Sequence, residues 1–126
     1  MVMIAAVVLC MLLGALTVLQ VLLAFGAPLG LFAWGGQHRV LPISLRLGSV
    51  TSIAIYAIVA AVVAARAELI SLDVSGSVVT VSTWVAGGYF FLGIVMNLAS
   101  RSRQERIVMT PLCAVMGILC AVVALG

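Results

Sequence analysis

The segment that follows the first apolar block holds the side chains best suited to bind a ligand. It combines a tryptophan, two glycines and three polar residues, and a further arginine comes shortly after: Trp34, Gly35, Gly36, Gln37, His38, Arg39 and Arg46. Arginine donates paired hydrogen bonds to phosphate or carboxylate, and glycine lets a ligand approach the backbone closely. Together with Asn97, near the end of the third apolar block, these residues predict a site for an anionic lipid headgroup or a small anion.

Two other interpretations of this segment remain open. In the structural one, the glycines and prolines form an irregular elbow, Trp34 sets its depth in the membrane interface, and His38 and Arg39 face water. In the enzymatic one, His38 acts as a general base, but that role needs a carboxylate or nucleophile held beside it, and the segment contains neither. We therefore predict no catalytic residues, and an enzyme is the least favoured class.

Metal and redox chemistry are not indicated. The chain has one histidine, no CxxC pair, and three cysteines that lie inside apolar blocks: Cys10, Cys113 and Cys120. Zinc sites and thiol–disulfide centres need clustered ligands of these types. We predict neither a metal site nor a cofactor.

Composition and block length predict the fold class. The chain has 126 residues, of which 66% are hydrophobic and 7% charged, and this excludes a soluble domain. Four apolar blocks occupy about residues 3–25, 48–65, 78–98 and 107–126. A helix needs roughly 20 apolar residues to cross a bilayer core of about 30 Å, and it pairs its own backbone amides. We predict an all-α fold, a single membrane domain over residues 1–126: a bundle of four transmembrane helices with a Gly/Pro/Trp-rich interfacial loop between helices 1 and 2.

The arginines predict an orientation. Five of the six basic residues flank the first or third connection: Arg39, Arg46, Arg101, Arg103 and Arg106. Because arginine-rich loops stay in the cytoplasm, loops 1 and 3 are predicted to be cytoplasmic in an inner (cell) membrane, with loop 2 and both termini outside. No basic residue precedes the first block, so we expect it to stay as a helix rather than to be cleaved as a signal peptide. Anionic lipid headgroups, and not nucleic acid, are the expected partners of these arginines.

The predicted spans themselves carry no Asp, Glu, Lys, Arg or His, which argues against a proton path. Small four-helix multidrug exporters rely on a carboxylate in the first helix, where this chain has only Gln20, so an exporter of that type is disfavoured. Small residues at four-residue intervals, as at Ala57, Ala61 and Ala65, are typical of closely packed helices. They predict a tight bundle and are compatible with a homo-oligomer or a membrane-protein partner.

The run from Gly26 to Pro42, with its Trp-Gly-Gly-Gln-His-Arg centre, followed by Arg46 and the segment 97–106, resembles a group of uncharacterised, short bacterial integral membrane proteins with four helices. The likeness covers nearly the whole chain and implies a class of protein but no activity. From the residues, we predict a non-enzymatic membrane subunit, or a binder of a lipid or small anionic ligand at the cytoplasmic first loop. A small oligomeric transporter or channel is the alternative.

Overall fold

Four helices make up the architecture. A computed structural model describes all 126 residues, with α1 at Val2–Ala24, α2 at Ile43–Arg66, α3 at Gly76–Leu98 and α4 at Arg103–Leu125. Each helix is long and apolar enough to cross a membrane. The predicted all-α bundle of four membrane-spanning helices is therefore confirmed.

Two helices begin four or five residues earlier than predicted, and the other two begin within two residues of the predicted start. Helix α2 starts at Ile43 directly after Pro42, and α4 starts at Arg103 after the N-cap Ser102, whose hydroxyl accepts a hydrogen bond from the Glu105 amide. Hydropathy marks where a chain is apolar, and these first turns are polar, so the apolar blocks alone placed both starts too late. Because of this shift, Arg46 and Glu105 lie on helices rather than in loops.

The core occupies the half of the bundle that holds the chain termini. A cluster of 13 buried residues joins all four helices there, and Leu9, Leu13, Tyr56, Phe90 and Met116 are its larger members. Helix α1 packs mainly on α2, and α3 mainly on α4. A small second cluster packs Leu23 of α1 against Ala33 and Leu41 of the first loop (residues 25–42). The core therefore seals one half of the bundle and leaves the loop half less densely filled.

Close helix approach occurs at glycines rather than along the predicted alanine stripe. A Cβ on Gly87 would lie 3.3 Å from the Cys120 Cβ, and a Cβ on Gly117 would lie 2.9 Å from the Phe91 ring. Ala57, by contrast, is exposed on the outer face of α2. Removing side-chain bulk is what lets α3 and α4 pack tightly where lipid supplies no hydrophobic drive for association.

Candidate functional site

The first and third loops meet at one end of the bundle. The Ser102 hydroxyl donates a hydrogen bond to the Leu31 carbonyl oxygen, and a Cβ on Gly36 would lie 2.9 Å from the Ser102 hydroxyl oxygen. Within the first loop, the Gly30 amide donates to the Arg39 carbonyl oxygen at 2.9 Å and closes the segment between them. This contact brings the five arginines of the two connections to the same end of the molecule.

Local backbone conformation explains how the first loop turns. Gly26, Gly35 and Gly36 have positive φ angles of 91°, 75° and 69°, where a side chain would be strained. Trp34 also has a positive φ, 54°, which costs a residue with a Cβ roughly 1–2 kcal/mol. Packing offsets that cost, because the indole covers Gly48 so closely that a Cβ there would lie 2.8 Å from two ring carbons.

Trp34 is also fixed by a hydrogen bond. Its indole Nε1 donates to the hydroxyl of Ser49, a fully buried residue of α2, at 3.3 Å. An aromatic ring with a polar edge suits a position between apolar helices and a wetter surface. The loop is thereby held on α2 at Trp34 and on α4 at Ser102.

A cavity of about 680 Å³ lies beneath this loop. All four helices and the loop contribute to its walls, and 15 of its 23 lining residues are hydrophobic, which makes it suited to an apolar ligand body. Aromatic side chains form much of the lining: Phe32, Trp34, Tyr56, Tyr89 and Phe90. The packed core closes the bundle on the side away from the loop.

Gln20 lines the cavity and carries an unsatisfied polar atom. Its side chain is 7% exposed, and its amide oxygen is buried without a hydrogen-bond partner. A buried polar atom left unpaired costs about 1–3 kcal/mol. Asn97 lines the same cavity and is partly engaged, since its amide nitrogen donates to the Gly93 carbonyl oxygen at 2.7 Å and to the Cys113 sulfur at 3.3 Å.

Glu105 supplies the only carboxyl group that lines the cavity. The residue is 8% exposed, and its Oε2 accepts a hydrogen bond from the Ser100 hydroxyl at 2.7 Å. That hydroxyl in turn accepts a hydrogen bond from the Ser102 amide at 3.1 Å. In a capping box the glutamate carboxylate accepts directly from the backbone amide of the N-cap residue, whereas here the Ser100 hydroxyl lies between the two groups. The Ser102-x-x-Glu105 spacing could have indicated this helix start. Hydropathy instead placed residues 99–106 in the third connection, so Glu105 was not among the predicted site residues.

The structure separates the predicted site residues into three groups. Four of them line the cavity: Trp34, Gly35, Gln37 and Asn97. Gly36 lies beside them in a shallow depression of about 450 Å³ that also includes Arg101 and Arg103. The remaining three do not line the cavity: His38, Arg39 and Arg46.

These three residues have different surroundings. His38 and Arg39 are exposed. Arg46 lies under the loop, where its Nε donates to the Leu41 carbonyl oxygen at 2.8 Å and its guanidinium group is next to Gly26. Arg46 therefore has a structural contact, and the arginine that does line the cavity is Arg101.

No group of three or more His, Cys, Asp or Glu side chains is arranged to hold a metal ion. Comparison with protein-family models, with curated proteins and with solved structures gave no match.

Proposed function

We propose that this small multi-pass membrane protein binds an amphipathic ligand, a lipid or a lipid-like small molecule, in the cavity under the first loop. The observation that carries the proposal is a cavity of about 680 Å³ with a mainly apolar wall, to which Gln20, a residue with an unpaired amide oxygen, also contributes. A ligand that donates a hydrogen bond there would relieve the cost of that unpaired group. The volume falls within the roughly 300–1,000 Å³ typical of small-molecule pockets.

The distribution of polarity supports an amphipathic ligand. Apolar and aromatic side chains make up most of the wall, whereas Gln37 and Arg101 belong to the loops at one end. An acyl chain or similar apolar body fits the first environment, and a headgroup fits the second. The predicted affinity for an anionic headgroup now rests on Arg101, with Arg103 in the adjoining depression.

Filling the cavity should remove the ligand. Ser52 lines the cavity and Thr51 beside it is exposed, while both hydroxyls donate to the carbonyl oxygen four residues earlier on α2. We expect Ser52→Phe to reduce bound ligand at least roughly tenfold by occupying its volume, and Thr51→Phe to leave it unchanged. Native mass spectrometry of gently extracted protein measures the bound mass. Equal retention by both variants, or no bound mass in the wild type, would contradict the proposal.

We further propose a bacterial inner membrane as the location, with the ligand site on the cytoplasmic side. Its support is that loops 1 and 3 meet at one end, where these loops and the first turns of α2 and α4 carry five arginines, whereas Arg66 at the other end donates a hydrogen bond to the Ala124 carbonyl oxygen.

Labelling with a membrane-impermeant maleimide tests this orientation. In a background without the three native cysteines, we expect Glu68→Cys to react on intact cells and His38→Cys to react only after permeabilisation, since both positions are exposed. The reverse pattern would place the site outside.

A transporter is the second candidate, favoured by the shape of the cavity. It is lined by loop residues at one end and is closed by the packed core at the other, as expected for one state of an alternating carrier. One copy encloses no continuous path, so transport would need rearrangement or an oligomer. Flux of the bound ligand into proteoliposomes, lost on Asn97→Ala, would favour transport, and binding without flux would leave the protein as a binder.

A further inference from the structure

Glu105 lies against the ligand cavity without a counter-charge. Its Oε2 is paired with the Ser100 hydroxyl, and no arginine forms an ion pair with it. Arg106, one residue further along α4, instead donates from Nη1 to the Ser100 carbonyl oxygen at 2.7 Å. The Ser100 hydroxyl and the N-terminal end of α4 both favour the charged carboxylate, and an ion pair with a cation would stabilise it further.

The helix cap does not require this negative charge. Glutamine serves at the third position of a capping box as well as glutamate does, because its amide oxygen accepts the same hydrogen bond. Glu105, which lines the cavity, therefore carries a charge that the capping hydrogen bond itself does not need. The cavity wall also offers aromatic rings, including Trp34, Tyr56 and Tyr89, and aromatic faces attract cations.

The guanidinium-bearing residue Arg101 lines the same cavity. Arg101 lines it from an exposed position in the third loop (residues 99–102), whereas Glu105 lies on the first turn of α4 and is buried. The cavity thus presents one cation and one anion to its occupant, together with an apolar wall. A headgroup that carries both charges satisfies each of them.

We propose, on the basis of the binding function above, that the ligand of this cavity is an amphiphile with a zwitterionic headgroup, whose ammonium pairs with the Glu105 carboxylate and whose phosphate meets Arg101. Its apolar chain lies along the aromatic and aliphatic wall. An anionic headgroup without an amine would meet Arg101 but would also bring like charge toward Glu105.

Three single-chain lipids with the same brominated acyl chain distinguish a zwitterionic headgroup from an anionic and from an uncharged one. Lysophosphatidylethanolamine carries phosphate and ammonium, lysophosphatidylglycerol carries phosphate alone, and monoacylglycerol carries neither. Bromine quenches indole fluorescence on contact, and the chain has two tryptophans, of which Trp34 lines the cavity and Trp84 does not. In a Trp84→Phe background, titration of detergent-solubilised protein therefore reports on the surroundings of Trp34, and competition by the same lipid without bromine identifies the part of the quenching that comes from a saturable site.

We expect the ethanolamine lipid to bind about tenfold or more tightly than the glycerol lipid, because only its ammonium offsets the buried carboxylate. Glu105→Gln should abolish this preference by weakening the ethanolamine lipid to the level of the glycerol lipid, which should bind at least as well as before. Glu68→Gln is the matched control, since Glu68 is an exposed carboxylate in the second loop, away from the cavity, and the preference should persist there.

The outcomes distinguish the two proposals. Quenching by all three lipids without preference for the amine, or an equal loss of all three in Glu105→Gln, would overturn the zwitterion assignment and leave the binding cavity standing. If none of the three lipids quenched Trp34 in the Trp84→Phe protein, the binding function itself would be overturned.

Discussion

Replacing Gly30 by alanine should detach the first loop from the end of the bundle and strongly weaken ligand binding in the cavity. Gly30 is buried, and its amide donates to the Arg39 carbonyl oxygen at 2.9 Å. A Cβ at this position would overlap the His38 carbonyl oxygen and lie 2.8 Å from the Arg39 carbonyl oxygen. Because both obstacles are backbone atoms, no rotamer change relieves the clash. The backbone around Gly30 must therefore move away from the backbone of residues 38–39.

The expected effect is large for the loop and small for the helices. Loss of loop closure removes Phe32 and Trp34 from the cavity wall, so we expect ligand affinity to fall by roughly a hundredfold, equivalent to about 3 kcal/mol. Limited proteolysis should cut the first loop much faster than in the wild type, while circular dichroism should show unchanged helical content. These two measurements separate loop release from global unfolding.

Gly14→Ala is the control for Gly30→Ala. Gly14 lies in α1, and a Cβ there would meet nothing within 4 Å. Alanine in an open helical position should leave ligand affinity and protease resistance of the loop unchanged. If Gly30→Ala matched this control in both measurements, the loop would not be held as the structure shows.

Leu9→Ala should produce the largest loss of bundle stability, about 2 kcal/mol in the free energy of unfolding. Leu9 is 0% exposed and belongs to the 13-residue core that joins all four helices. In a membrane protein the unfolded helices remain in lipid, so the cost comes from lost packing contacts and the void left behind, rather than from transfer to water. Reversible unfolding in mixed detergent and sodium dodecyl sulfate measures it.

Leu47→Ala provides the comparison, because it removes the same atoms from a side chain that is 63% exposed on α2. Its effect should stay within about 0.5 kcal/mol. Similar losses for both variants would mean that the centre of the bundle does not pack as described. A large loss at Leu9 alone would show that the centre of the bundle packs as described, although Leu16, Tyr56 and Phe90 belong to both the core and the cavity wall.

The predicted helices follow from local composition, and this is why the sequence indicates them well. A run of apolar residues long enough to span a bilayer has few alternatives to a helix, whatever its neighbours are. The starts of α2 and α4 were less predictable, because Pro42 and Ser102 set them through backbone geometry and capping in polar segments.

The candidate site was partly predictable. The Gly/Pro pattern around Trp34 correctly indicated an irregular, structured loop, and four of the predicted residues line the cavity. The role of arginine was harder to predict, because a guanidinium group is equally suited to bind a ligand or a backbone carbonyl. Arg46 binds the Leu41 carbonyl oxygen, five residues earlier, and only the fold of the loop reveals that choice.

By itself, the sequence determined the number of membrane-spanning helices and the segregation of arginines to two connections, since both depend on residue type along the chain. Tertiary structure decided the burial of Glu105, the unpaired amide of Gln20 and the volume between them and the loop. Those features arise where Ser102 meets Leu31, 71 residues earlier in the chain, and where four helix ends converge under the loop. Contacts between residues so far apart leave no periodicity or composition in either segment, and the environment of each polar side chain depends on them.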